Sequence, residues 1–216
     1  YGLVTLGGLR KGQTVLVHSA AGGVGLAAVD ICNSKGATVV ATVGSADKAE
    51  LLQQRGGLPA SRIIVRDGGG KRFGAQLDGC LEESEGLGIV MDSLQGPFFQ
   101  PAFDRLARGG RHIVFGAASM TRSGRSPNWL RLAWQWLFRP SVDPLNIIAQ
   151  NRSVMGFNLI WMWDKEEEMS EMLHEMMESV PWRPPHVGKT FPFDRAPEAM
   201  RYFQSGRSVG KVVLLV

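Results

Sequence analysis

Residues Thr14 to Cys32 read TVLVHSAAGGVGLAAVDIC. An apolar run, Val15 to Val17, meets a glycine cluster, and the cluster opens onto a helix-like pattern. Gly22, Gly23 and Gly25 fall within four residues. A helix N-terminus carries unpaired N–H groups and about half a positive charge. An anion docks there only if the backbone comes close to it, so side chains must be absent.

Outward from this stretch, short apolar runs alternate with longer amphipathic ones. Val15–Val17, Val39–Val43, Ile63–Val65, Ile89–Met91, Ile113–Phe115 and Val154–Phe157 read as strands. They are β-branched and do not alternate with polar residues, as strands covered on both faces should be. Helices are expected near 22–35, 46–56, 72–83 and 97–107. Gly36, Gly56-Gly57 and Gly109-Gly110 stand where left-handed C-terminal caps belong. This order predicts an α/β fold: a Rossmann-type, doubly wound parallel sheet of about six strands with helices on both faces.

Within that frame the glycines match the dinucleotide-binding spacing G-x-G-x-x-G, with Ala20, Gly22 and Gly25 in its three slots. Gly22 lets a pyrophosphate approach the backbone, and Gly25 lets the helix lie close on the strand. Ala20 in the first slot implies a less demanding turn. The end of the second strand discriminates between cofactors, because NAD-binding chains place an acid there for the ribose 2′-hydroxyl. Here Gly44 takes that slot, followed by Ser45 and Lys48, with Arg66 after the third strand. A small residue, a hydroxyl and two cations suit a 2′-phosphate and predict NADPH over NADH. Asp47 lies in the next helix's first turn, where an acid complements the helix dipole.

The composition is that of an ordinary globular protein: 216 residues, 44% hydrophobic, 20% charged, mean hydropathy −0.05. A net charge of +4 without clustered Lys/Arg argues against a nucleic-acid partner. Cys32 and Cys80 make neither a disulfide framework nor a zinc site, and the four histidines show no ligand spacing, so no metal is expected. Cys32 falls on an apolar helix face and reads as packing. No apolar stretch is long enough to cross a membrane, and no leader is visible, so a cytoplasmic location is expected. The abrupt opening YGLVTLGGLRKGQ reads as the tail of a helix and predicts a piece of a longer protein.

Beyond Gly116 the pattern loosens. WLRLAWQWLFRP, 129–140, reads as a helix packed under a lid or at an interface, or as one lying on a membrane surface. Residues 164–180 form a helical pattern whose stripe, Met169, Met172, Leu173, Met176, Met177 and Val180, suits core packing or an adaptable groove. Residues 195–216 read as a helix, capped by Asp194, followed by a terminal strand. No G-x-S-x-G elbow and no acid/base pair is evident, so no catalytic residue is assigned.

VLVHSAAGGVGLAAV resembles the nucleotide-binding segment of the zinc-independent medium-chain dehydrogenases/reductases. GLGIVMDSLQG (86–96), LARGGRHIVFGAAS (106–119) and RAPEAMRYFQSGRSVGKVVLLV (195–216) resemble later parts of the same superfamily, and NRSVMGFNL (151–159) resembles its vesicle amine transport branch. The resemblance implies cofactor contacts at Ser19, Ala20, Ala21, Gly22, Gly23, Val24, Gly25, Gly44, Ser45 and Lys48. Ser93 and Leu94 follow, then Phe115, Gly116, Ala117, Phe157, Asn158, Leu159, Gly210 and Lys211 around the nicotinamide. It implies that residues 1–180 form the NADP-binding domain and that 181–216 return to a GroES-like catalytic domain outside this chain.

It further implies hydride transfer to a quinone or an α,β-unsaturated carbonyl, and a homodimer through the last sheet strand. Two alternatives stand beside this: a non-catalytic nucleotide-binding or membrane-associated adaptor of the vesicle amine transport type, and an enoyl reductase domain of a polyketide synthase. The latter carry a lysine after the fifth-strand glycine, where this chain has Ala117. Arg66 stands near the place where quinone reductases often have a tyrosine.

Overall fold

The computed structural model describes residues 1–67, 70–118, 129, 133, 136–137, 139–181 and 183–216. Six parallel strands form the main sheet: β1 (Thr14–Val17), β2 (Thr38–Val43), β3 (Ile63–Val65), β4 (Leu87–Asp92), β5 (Leu106–Val114) and β6 (Ser153–Gly156), in the order β3-β2-β1-β4-β5-β6. In register, Val15 lies beside Val39 on one side and Ile89 on the other. All four residues of β1 are buried, which is why that run carries no polar alternation.

The faces are divided by the two-residue period of a strand. Val15 and Val17 point into a core with Leu26, Val29 and Cys32 of α1 (Gly23–Ser34) and Leu52 of α2 (Ala46–Gly56). Leu16 points the other way, into Phe73 and Leu77 of α3 (Phe73–Asp78) and Phe99 and Phe103 of α4 (Phe99–Asp104). A six-residue helix such as α3 has no independent stability. Phe73 and Leu77, one turn apart and both fully buried, hold it, each contributing about 2 kcal/mol. The chain runs outward from β1 to β3, then crosses to β4. That reversal leaves a crevice beyond the carboxyl ends of β1 and β4, where ligands bind in such sheets.

The expected helix over 72–83 ends five residues early, at Asp78, whose carboxylate is clamped by Arg105 at 2.5 and 2.6 Å. The expected helix over 97–107 is α4 preceded by a 3-10 turn at Gly96–Phe98, and β5 starts at Leu106. Gly109 and Gly110 therefore lie inside a strand and cap no helix. Gly109 keeps a left-handed φ of 79° where the β4–β5 register shifts. Helix α5 (Pro144–Gln150), capped by Asp143, leads into β6.

The methionine-rich helix is α6 (Glu166–Ser179), and it has no buried residue. Leu173, Met176 and Met177 are exposed, so the stripe is not core. With Leu26, Ala27 and Ile31 of α1 they line an open groove of about 360 Å³. Beyond it, β7 (Val187–Pro192) and β8 (Lys211–Leu215) form a separate two-stranded parallel sheet, joined by α7 (Ala196–Gln204). Asp194 caps nothing: it sits in a 3-10 turn, and Arg195 is the residue before α7. Most of the aromatic segment 129–138 lies outside the described residues.

Candidate functional site

The turn between β1 and α1 is built by one left-handed residue, and it is Ser19, with φ 53°. Ala20 needs no glycine there; it is fully buried, and its N–H donates to Thr42 O at 3.0 Å. Gly22 precedes α1 and has no side chain to shield the first-turn N–H groups. Gly25 fits because a Cβ there would come within 2.5 Å of Ala20 Cα and Ser19 O. Helix and turn thus come into close contact at Gly25, where the sequence predicts that the helix lies close on the strand.

A cavity of about 520 Å³ opens at the carboxyl ends of β1 and β2. It brings together Ser19, Ala21, Gly22, Gly44, Lys48, Arg66 and Leu94 from the expected set. Ala20 and Gly25 lie beneath the turn, and Val24 faces outward. Ser45 is the residue before α2, next to Gly44, with its side chain making no capping bond. Ser93 does not line it, and its hydroxyl is buried without a partner among the described residues.

Phe115, Gly116, Ala117, Phe157, Asn158 and Leu159 do not line this cavity. Phe157 stacks on Phe115 at 5.9 Å and meets Tyr1 edge-on at 5.4 Å, so these form a separate aromatic group at the ends of β5 and β6. Gln95 donates to Gly116 O at 2.9 Å, and Asn158 Oδ1 accepts from Ile160 N at 3.2 Å. Gly210 and Lys211 meet the glycine turn itself. Gly210 N donates to Ala21 O at 2.8 Å, Gly210 bridges Gly22, and the Lys211 side chain lies over Gly23.

Phe203, Gln204, Gly206 and Ser208, absent from the expected set, close the cavity from the side of α7. The polar, glycine-containing run QSGRSVGK was their only trace in the sequence. Val43 and Ala118 complete the lining.

The electrostatics are one-sided. Burial lowers the Arg66 pKa from its ordinary value. Burial and then the charge of Arg66 lower that of Lys48. Lys48 Nζ donates to Gly206 O at 2.6 Å, and Arg66 Nη1 donates to Thr42 Oγ1 at 2.9 Å. Among the described residues no carboxylate pairs with either cation, although such proximity favours a shared anion. The residues present therefore fit a phosphorylated nucleotide: a bare helix start for one phosphate, two uncompensated cations for another.

Behind the loop after β4, Asp92 Oδ1 accepts from Leu94 N at 2.7 Å and Gln95 N at 2.8 Å, while Oδ2 lies 2.9 Å from His112 Nε2. Burial works against the Asp92 charge, but these hydrogen bonds and His18 prevail and keep its pKa below the ordinary value.

Residues 76–214 match the family described as zinc-binding dehydrogenase, and the chain belongs to it, within the medium-chain dehydrogenase/reductase superfamily. It is 31% identical over 216 residues to the human synaptic vesicle membrane protein VAT-1 homolog, covering 99% of this chain and 53% of that one. It is 33% identical over 220 residues to the hybrid PKS-NRPS synthetase pyvA of Aspergillus violaceofuscus, covering 100% of this chain and 5% of that one. Among solved structures it resembles the quinone oxidoreductase of Thermus thermophilus, solved also in complex with NADPH, with TM-score 0.70 and 25% identity over 99% of this chain and 61% of that one.

The chain thus spans about half the length of the human relative. The family's description names zinc, yet among the described residues no three His, Cys, Asp or Glu side chains converge on a common point. These residues do not fit a zinc ion. Among the described residues no helix is long and apolar enough to cross a membrane.

Proposed function

We propose that this chain is the NADPH-binding domain of a reductase acting on quinones or α,β-unsaturated carbonyls. The observation that carries the cofactor is the pair Lys48 and Arg66, which share one cavity with Gly44 where an acid would select NADH. NADPH supplies the hydride chemistry when bound. The chain's own residues bind and orient it. The α1 start at Gly22 and Gly23 takes the pyrophosphate, and Lys48 and Arg66 take the 2′-phosphate. The likeness to a quinone oxidoreductase crystallised with NADPH supports this assignment.

In the same reading, residues 181–216 lie against a GroES-like catalytic domain of a longer protein, where substrate and proton donor are held. Exposed Phe193, Met200 and Leu215 supply apolar surface for such a neighbour. The outer edge of β6, unpaired among the described residues, supports a homodimer through that strand.

The test is titration of the chain with NADPH and with NADH, followed by energy transfer from tryptophan to nicotinamide. NADPH should bind about tenfold or more tighter, since a charge-assisted phosphate contact contributes about 1.5–3 kcal/mol. Arg66→Gln should remove most of the difference and leave NADH affinity as it was. Equal affinities in the parent chain would overturn the cofactor assignment.

A further inference from the structure

Arg66 has no carboxylate partner among the described residues, so its direction is set by neutral neighbours. One is the Phe98 ring, whose centroid lies 5.7 Å from the guanidinium carbon. The other is Thr42 Oγ1. That oxygen, in a side chain fully shielded from solvent, lies 2.9 Å from Arg66 Nη1, 3.0 Å from His18 Nδ1 and 3.4 Å from Ser19 N.

The chemistry of a hydroxyl fixes who donates. Thr42 has one O–H and two lone pairs, and a guanidinium and a backbone N–H can only donate. Arg66 and Ser19 therefore occupy the lone pairs. The remaining hydrogen points to His18, so Thr42 Oγ1 donates and His18 Nδ1 accepts. His18 is then neutral, with its proton on Nε2. That nitrogen has no hydrogen-bond partner among the described residues, and the ring lies 5.5 Å from Phe73 and 6.0 Å from Phe98. Burial independently holds this imidazole neutral, with a pKa lowered to about 4.

We infer that Thr42, kept in its donor orientation by His18, supports the preference for NADPH by aiming Arg66 into the cavity. The inference rests on the assignment of that cavity to NADPH. Thr42 is a positioning residue: it does not line the cavity and acts through the cation it holds. It also receives the N–H of Ser19, the left-handed residue of the phosphate-binding turn, so one hydroxyl ties the pyrophosphate end of the site to the 2′-phosphate end. With Val in its place, the shape persists and the guanidinium loses its anchor.

The experiment is a comparison of NADPH and NADH dissociation constants for the parent chain, Thr42→Val, Thr42→Ser, Arg66→Gln and the double variant Thr42→Val/Arg66→Gln. Thr42→Val should weaken NADPH about tenfold and NADH less than about twofold, and Thr42→Ser should restore the parent ratio. In the Arg66→Gln background, Thr42→Val should change the ratio no further, since coupled residues are not additive. A purely structural loss would weaken both nucleotides alike, and that outcome overturns the inference. So does a Thr42→Val chain that keeps the parent ratio while the parent prefers NADPH. A parent chain without preference overturns the cofactor assignment and this inference with it.

Discussion

Ser19, not the alanine in the first motif slot, bears the left-handed backbone of the glycine turn. The motif's first position needs a small residue here because Ala20 is fully buried and packed against Gly25, not because of its φ. His18, one residue earlier, makes a prediction of its own. Its pKa is about 4 in the folded chain, chiefly through burial, against 6.5 as the ordinary value. Between those values the unfolded chain binds a proton that the folded chain does not, so stability falls as pH falls. The unfolding free energy should drop by roughly 3 kcal/mol between pH 7 and pH 4. His18→Gln should flatten that slope in urea titrations at several pH values. A slope unchanged by the substitution would show that other groups produce it. Asp92, lowered below 3.8, loses its contribution only beneath this window.

At the scale of elements, period and glycine placement revealed the strands and the two long helices α1 and α2. They did not reveal where α3 and α4 stop, because those ends are set by Arg105 clamping Asp78 and by the early start of β5, both long-range. The α6 stripe shows the limit of periodicity. Helical spacing of methionines says that a face is apolar, not that anything covers it, and here it faces an open groove.

The outer edge of β6 supports a sharper prediction. Phe157 N donates to Val114 O at 3.1 Å, so by the two-residue period Val154 and Gly156 direct their N–H groups away from β5. Proline at Val154 removes an edge donor without breaking a ladder bond. Sedimentation should show the parent chain as a dimer at micromolar concentration and Val154→Pro as a folded monomer. A monomeric parent would exclude the β6 interface.

On the scale of the whole molecule, the β7–β8 unit meets the glycine turn through Gly210, beside other bonds such as Lys48 to Gly206 O. Gly210 has φ 56°, and a Cβ on it would come within 2.1 Å of His186 O. Both the conformation and the contact exclude a side chain. Gly210→Ala should therefore loosen this unit: amide exchange in β7 and β8 should accelerate at least tenfold, while β1, β4 and β5 stay protected. Uniform acceleration across the chain would instead show that the unit stabilises the whole fold.

The sequence by itself determined the layers and the glycine turn on which the proposed site rests. Buried parallel strands leave unalternating apolar runs, a phosphate-binding turn must lack side chains, and an absent acid after β2 is visible as Gly44 whatever the tertiary detail. Only the tertiary structure decided which of those residues meet. Lys48 lies in α2 and Arg66 just after β3, and folding alone brings their charges into one cavity without a carboxylate between them among the described residues. Phe203, Gly206 and Ser208 join them from about 140 to 160 residues further along the chain, closing a wall that no local pattern encodes. Thr42 has no motif either. Its hydroxyl matters because three donors and acceptors from separate segments converge on it.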